Sequence, residues 1–216
     1  MGAPQARLSE LAEFLIKKGH DVIILTAMPN YPTGKIFKGY DGYLKIENVN
    51  NIEIIRCYIY PSKSISFFPR IWNYLSFTIS SIIIGLYCLP RCDYIITESP
   101  PLFLGVSGYI LSKFKKAKLI FNVSDLWIES AFELGVIRKG VLFSVSKYLE
   151  NYIYNKAWRI TGQSKGIIWH IDNQLKYKKT YRLSNGVDLK KYYPGEKNNS
   201  LRLWKGERNY AAIYTG

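Results

Sequence analysis

The sequence predicts an α/β fold: a Rossmann-like, doubly wound parallel sheet with helices on both faces. Short apolar runs recur along the chain, segments of helical periodicity separate them, and glycine or proline stands at many boundaries. Continuous apolar runs are typical of parallel strands that are buried on both faces. The runs predicted to form this sheet are residues 21–26, 93–97, 117–123, 158–162 and 180–183.

Residues 7–18 predict the first helix, because apolar side chains recur on one face and Gly19 offers a C-terminal stop. An apolar strand at 21–26 follows directly, so the order resembles a βαβ unit without its first strand. We therefore expect the sheet to lack its first strand. Residues 43–47 and 52–58 predict two more strands, in a smaller excursion from the sheet.

The length of 216 residues suffices for one substantial α/β core but not for two full domains. We assign residues 1–195 to a single domain. Residues 196–208 are polar and lack periodicity, which predicts an interdomain linker. Residues 209–216 then predict the first strand of a second, truncated domain.

The chain is strongly basic, with 30 Lys and Arg against 16 Asp and Glu and a formal net charge of +14. This balance favours an anionic partner, such as phospholipid headgroups, a phosphorylated substrate or nucleic acid. Three cysteines and two histidines do not approach the ligand set of a zinc site, so we expect no metal.

Residues 71–89 carry no charged side chain, but polar residues interrupt the segment. We expect a helix that packs on the sheet, with an aromatic end dipping into a membrane, rather than a membrane-spanning helix. The aromatic residues at that end are Phe67, Phe68, Trp72 and Tyr74. Two basic clusters suit anionic lipid, and they are Lys113, Lys115, Lys116 and Lys118, and Lys176, Lys178, Lys179 and Arg182. A merely solvated basic surface is the alternative.

Three carboxylates follow predicted strands and should therefore lie at the carboxyl edge of the sheet, where ligands gather in such folds. They are Glu98, Asp125 and Glu129, and each could accept a proton or bind sugar hydroxyls. Ser124 and Trp127 lie beside them, and the Trp127 ring offers a face for a pyranose. The alternatives are a solvated turn for Glu98, a helix N-cap for Ser124 or Asp125, and a first helical turn for Glu129.

Gly2 and Ala3 precede the first helix, where free backbone N–H groups and the helix dipole favour a phosphate. Their small size would allow close approach. An ordinary disordered terminus is the alternative, because no complete phosphate-binding motif surrounds them.

Four segments resemble the retaining GT-B glycosyltransferases of family four, in particular the fucosaminyl-type transferases of colanic acid and O-antigen synthesis. Residues 125–130 read Asp-Leu-Trp-Ile-Glu-Ser, similar to the family's Asp-Leu-Trp-Pro-Glu-Ser with Ile128 in place of proline. Residues 185–188 read Asn-Gly-Val-Asp, similar to the segment before its interdomain linker. Residues 2–22 resemble the glycine loop, first helix and strand, and residues 160–166 resemble the last strand and helix of the N-terminal domain.

The resemblance implies the acceptor-binding half of a two-domain enzyme, which would be inactive alone because the donor-binding domain is absent. The implied reaction moves a hexosyl group, with an N-acetyl deoxyhexosyl group as one candidate, from a nucleotide sugar to a lipid-linked saccharide, without a metal or other cofactor. Gly2 and Ala3 would approach the donor phosphate, and Glu98, Asp125 and Glu129 would line the acceptor side. The implied location is the inner face of the cytoplasmic membrane, in peripheral contact with anionic lipid and without nucleic acid. The competing interpretation is a non-catalytic basic module that binds membrane or polyanion.

Overall fold

The computed structural model describes residues 3–64, 67–133, 140–176 and 179–186. The chain divides into two units, Met1–Asn185 and Gly186–Gly216, and of the second only Gly186 is among the described residues. Gly2, the predicted linker at 196–208 and the predicted strand at 209–216 lie outside them. The described elements are α1 (Ala3–Lys17), β1 (Ile23–Ala27), β2 (Leu44–Val49), β3 (Ile52–Cys57), α2 (Phe67–Cys88), β4 (Tyr94–Ser99), α3 (Leu104–Lys115), β5 (Lys118–Val123), α4 (Trp127–Glu133), α5 (Val141–Lys156), β6 (Arg159–Gly162), α6 (Lys165–Asp172) and β7 (Thr180–Arg182).

The larger sheet has four strands in the order β4-β5-β6-β7, and all of its pairings are parallel. Helices connect successive strands, so the predicted α/β class with a Rossmann-like parallel sheet is confirmed. The described strands form two hydrogen-bonded ladders rather than one. The smaller sheet has the order β1-β3-β2.

The expectation of a smaller excursion was wrong for β3. Residues 53–57 of this strand pair in parallel with the whole of β1, and Ile55 and Cys57 are fully buried. Only β2 is antiparallel, and it reaches β3 through a tight turn at Asn50 and Asn51. Both residues have positive φ angles, 54° and 64°, which asparagine tolerates and which hairpin turns of this length require.

The main core lies on the face of the larger sheet that carries α3, α5 and α6. Phe121 and Ile160 point from the strands into this layer, and Ile153 and Tyr154 of α5 meet them. Gly105 lets α3 approach closely, since a Cβ there would meet Ile153 and Phe121 at 2.7 and 2.9 Å. Full burial of one such apolar side chain contributes about 1.5 to 3 kcal/mol, so this layer accounts for much of the stability of the domain.

Candidate functional site

A row of polar side chains crosses the carboxyl edge of the larger sheet. Glu98 of β4 is in register with Asn122 of β5, which in turn is in register with Thr161 of β6. Registered residues of neighbouring parallel strands point to the same face, so the three side chains lie side by side. Each stands one residue before the end of its strand.

Hydrogen bonds join this row from end to end. Thr161 donates its hydroxyl to Oδ1 of Asn122 at 2.6 Å, and Nδ2 of Asn122 donates to Oε2 of Glu98 at 2.8 Å. Asn122 is buried, which makes its amide orientation dependent on both partners. The row is therefore a rigid polar edge rather than a set of independent side chains.

Arg7 of α1 and Ser124 complete the network. Arg7 Nη2 donates to Glu98 Oε1 at 2.5 Å and to Ser124 Oγ at 3.1 Å, and Ser124 donates to the same carboxylate oxygen. Burial raises the pKa of Glu98, while the Arg7 charge and the Asn122 and Arg7 hydrogen bonds act in the opposite direction. Both oxygens of Glu98 are thus engaged, which suits a residue that shapes the edge.

Asp125 occupies the segment between β5 and α4 and is exposed. Its Oδ1 lies 3.5 Å from the hydroxyl of Ser130, which gives a weak hydrogen bond. This carboxylate therefore keeps most of its acceptor capacity for a ligand. Trp127 begins α4 and is partly buried, because its ring packs against the main core. Its role in sugar stacking stays a prediction.

Glu129 lies in the first turn of α4 and contacts a different set of residues from Glu98. Lys147 of α5 bridges Glu129 and Glu150, with a distance of 2.5 Å from its Nζ to Glu150 Oε2. His170 Nε2 lies 3.0 Å from Glu129 Oε1. The structure thus places Glu129 in an ion-paired cluster between α4, α5 and α6.

Lys147 controls the ionisation of this cluster. Burial acts to raise the pKa of Glu129, but the hydrogen bond and charge of Lys147, a backbone hydrogen bond and the charge of His170 together hold that pKa below its ordinary value. Burial raises the pKa of Glu150, which is almost fully enclosed. The two carboxylates in turn raise the pKa of Lys147 against the effect of its own burial. A carboxylate held in this way is suited to fixing α4.

The sequence interpretation did not include Arg7, Asn122, Thr161, Lys147 and Glu150. A signal for two of them was present, because Asn122 and Thr161 each interrupt an apolar strand next to its carboxyl end. The other three give no such signal, because Arg7 is a polar residue of an amphipathic helix and Lys147 and Glu150 have the i,i+3 spacing that is common for ion pairs on helix surfaces. Of the predicted phosphate site, Ala3 begins α1 and Gly2 lies outside the described residues. Within the described ranges, no group of three or more His, Cys, Asp or Glu side chains could hold a metal ion.

No protein-family model matches the chain. The chain is 29% identical over 133 residues to the protein named "Putative colanic acid biosynthesis glycosyl transferase WcaI" from Escherichia coli (strain K12). The match covers 61% of this chain and 32% of WcaI, so the chain spans about a third of the length of that relative. The chain is therefore a distant, partial homologue of a glycosyl transferase.

Proposed function

We infer that this chain is the acceptor-binding part of a retaining GT-B glycosyltransferase of family four. The reaction moves a hexosyl group from a nucleotide sugar to a lipid-linked saccharide in surface polysaccharide synthesis, and an N-acetyl deoxyhexosyl group is the first candidate to test. The observation that carries the proposal is the polar row at the carboxyl edge of the parallel sheet, next to the exposed Asp125. The relation to WcaI supports the same chemistry.

Asp125 is the group that orients the acceptor. Its carboxylate is exposed and only weakly bonded, so it can accept a hydrogen bond from a sugar hydroxyl. Orientation of the attacking hydroxyl accounts for a large share of catalysis in a transfer of this kind. Glu98 acts as a positioning residue, since Arg7, Ser124 and Asn122 already occupy its oxygens. Glu129 orients α4 through Lys147.

The nucleotide-sugar diphosphate is expected to approach the N-terminus of α1, near Gly2 and Ala3, where helix dipole and backbone N–H groups favour an anion. We propose a reaction without a metal, in which the donor-binding domain supplies most of the groups for the leaving diphosphate. The 216-residue chain alone is accordingly proposed to bind acceptor but not to complete transfer. Its proposed location is the inner face of the cytoplasmic membrane.

The test is a chimaera in which the chain replaces the matched segment of WcaI. Transfer of labelled sugar from a panel of nucleotide sugars to a bacterial lipid extract is measured for the chimaera and for the chain alone. We expect transfer by the chimaera only, without added divalent metal and unchanged by EDTA. A chimaera that folds, as judged by circular dichroism and a cooperative melt, yet neither transfers sugar nor binds lipid-linked saccharide would overturn the proposal.

A further inference from the structure

Helix α2 has its polar residues turned towards the protein and apolar residues turned outwards. The side chains that it buries are small or hydroxylated, and they are Ser76, Thr78, Ser81 and Gly85. Apart from Arg70 in the first turns, the exposed side chains are large and mainly apolar, and they are Phe68, Trp72, Ile79, Ile83 and Tyr87. A helix on the surface of a water-soluble domain normally has the reverse arrangement. The outward face of α2 is therefore suited to an apolar environment.

The buried side of α2 is anchored to the domain along much of the helix. Ser76 Oγ accepts a hydrogen bond from the backbone N–H of Tyr60 at 2.8 Å, and the hydroxyls of Ser81 and Ser107 are 2.8 Å apart. Close packing at Gly85 adds to this, because a Cβ there would meet Leu111 of α3 at 2.8 Å and Leu25 of β1 at 3.2 Å. These contacts hold the helix against the smaller sheet and against α3.

By length and composition, α2 could cross a bilayer. The anchoring contacts favour a different arrangement, in which the helix lies along a membrane surface. The exposed residues Trp72, Ile79, Ile83 and Tyr87 follow spacings of seven and four, which puts them in one line on the helix. With Phe68, this apolar stripe extends for about 30 Å along the helix axis. At its N-terminal end it borders an open apolar depression of about 420 Å³, lined by Tyr60, Phe68, Pro69, Ile71 and Trp72.

Positive charges flank the stripe at both ends. Lys63 and Arg70 lie at the N-terminal end, and Arg91 follows the C-terminal end. Lys115 of α3 donates to the carbonyl of Leu86 at 2.7 Å, which brings the basic end of α3 beside the end of α2. There is no Asp or Glu between Arg56 and Asp93, nor anywhere in residues 99–124. The surface thus combines an apolar line with cationic ends, and Asp93 is an acidic neighbour at the C-terminal end.

We propose that this face of the protein binds the surface of an anionic lipid bilayer, with α2 parallel to the membrane and its apolar stripe inserted below the headgroups. Arg70, Arg91 and the end of α3 contact anionic headgroups. A second copy of the chain fits less well, because a two-fold contact through α2 would set its predominantly cationic ends against one another. The inference rests on the proposed function for one point, the role of membrane binding, which is to bring a lipid-linked acceptor to the polar row.

The first experiment measures flotation of the purified chain with vesicles of phosphatidylcholine, with and without 30% phosphatidylglycerol. The test variant is Ile79→Asn with Ile83→Asn, and the matched control is Val141→Asn with Val145→Asn in α5. Both pairs are aliphatic, spaced by four residues and exposed, at 51% and 52% against 82% and 57%. We expect the chain and the control to float with anionic vesicles only, and the test variant to bind at least about tenfold more weakly.

The second experiment tests the charges. Arg70→Gln with Arg91→Gln is expected to weaken binding by about tenfold or more, and to reduce its dependence on salt. Lys156→Gln with Lys165→Gln, on α5 and α6, removes the same charge from exposed positions and should have little effect. Trp72 fluorescence should shift to the blue on binding and be quenched by brominated lipid, a signal that Trp72→Phe removes and Trp169→Phe retains.

Equal vesicle binding by the Ile79 and Ile83 variant and by the control would overturn the inference. The inference would also be overturned if the unsubstituted chain did not bind vesicles but formed a stable dimer that the Ile79 and Ile83 substitutions dissociate. Neither result depends on sugar transfer, so vesicle binding and the transfer assay can fail separately.

Discussion

Asn122 donates an amide hydrogen to Glu98 at 2.8 Å across two parallel strands, and no sequence motif joins these residues. The same amide accepts from Thr161 at 2.6 Å. One side chain thus links three strand ends at the edge where ligands bind in parallel sheets.

Asn122→Ala should destabilise the domain. Asn122 is only 2% exposed, and its removal leaves the Thr161 hydroxyl and one Glu98 oxygen without their hydrogen-bond partner. We expect a loss of about 1 to 3 kcal/mol in the free energy of unfolding, measured with urea. Asn155→Ala removes an exposed amide that bonds only its own helix, and should change stability by less than about 0.5 kcal/mol. Equal losses of free energy of unfolding in the two variants would show that the hydrogen-bonded row does not stabilise the edge of the sheet.

Lys147→Met should give a pH-dependent defect. The change leaves Glu129 and Glu150 without the cation between them, at a cost of about 2 to 4 kcal/mol at pH 7. Loss of the cation raises the folded-state pKa of both carboxyl groups relative to the unsubstituted chain, so the folded variant binds more protons than the unsubstituted chain and the defect shrinks as the pH falls from 7 to 5.

Lys147→Arg keeps the cation and should lose less free energy of unfolding than Lys147→Met. Lys156→Met, an exposed change in the same helix, should show no comparable pH dependence. Urea titrations at both pH values check this, and a defect that grows towards pH 5 would contradict it. In the unsubstituted chain, the raised pKa of Lys147 predicts a stabilising contribution that is lost above about pH 10.4, as the pH rises through the folded-state pKa.

Two helical glycines should respond in opposite directions to alanine. A Cβ at Gly108 would lie 2.9 Å from Thr97 Cβ and 3.1 Å from Leu119 Cδ1, so Gly108→Ala should cost about 1 to 3 kcal/mol despite the better helix propensity. At Gly166 a Cβ would meet only Ser164 Oγ, at 3.8 Å. Gly166→Ala should therefore gain about 0.5 kcal/mol. The melting temperatures of both variants provide the comparison. A change of the same sign in the two variants would contradict the close packing of α3.

Asp125→Asn should lower turnover and Glu98→Gln should lower stability, because Asp125 is proposed to orient the acceptor and Glu98 to support the edge of the sheet. In the WcaI chimaera, Asp125→Asn should lower turnover by about 100-fold with no change in melting temperature, because the exposed carboxylate has only a weak partner. Glu98→Gln should lower stability by about 1 to 2 kcal/mol, since it removes the charge opposite Arg7. Asp21→Asn, an exposed change just before β1 of the smaller sheet, is the control. Near-normal turnover of Asp125→Asn would remove its proposed role.

Much of the secondary structure could be predicted from local pattern. The runs at 93–97 and 117–123 became β4 and β5 with shifts of one or two residues, because a continuous apolar segment between polar boundaries has few other stable arrangements. The long uncharged segment became α2 for the same reason. What could not be predicted is the partner of β3, since the choice of a neighbouring strand depends on packing across the whole sheet.

The candidate site was predictable in location but not in composition. Glu98 and Asp125 lie at the carboxyl edge because they follow strands, which local sequence shows. Their environments differ because register brings Asn122 to Glu98, and helix packing brings Arg7 to the same carboxylate. Such contacts join residues far apart in the chain, so no local pattern encodes them.

By itself, the sequence determined the α/β class, most strand positions and the charge-free segment at 71–89, because these follow from the order of apolar and polar residues. Tertiary structure alone decided which carboxylate is engaged and which is exposed, and that α2 turns Ser76 and Ser81 inwards and Ile79 and Ile83 outwards. The physical reason is that hydrogen bonds and close packing depend on distance in space. A helix of mixed small, polar and apolar residues has no preferred inward face until specific partners, here Tyr60, Ser107 and Leu111, are in contact with it.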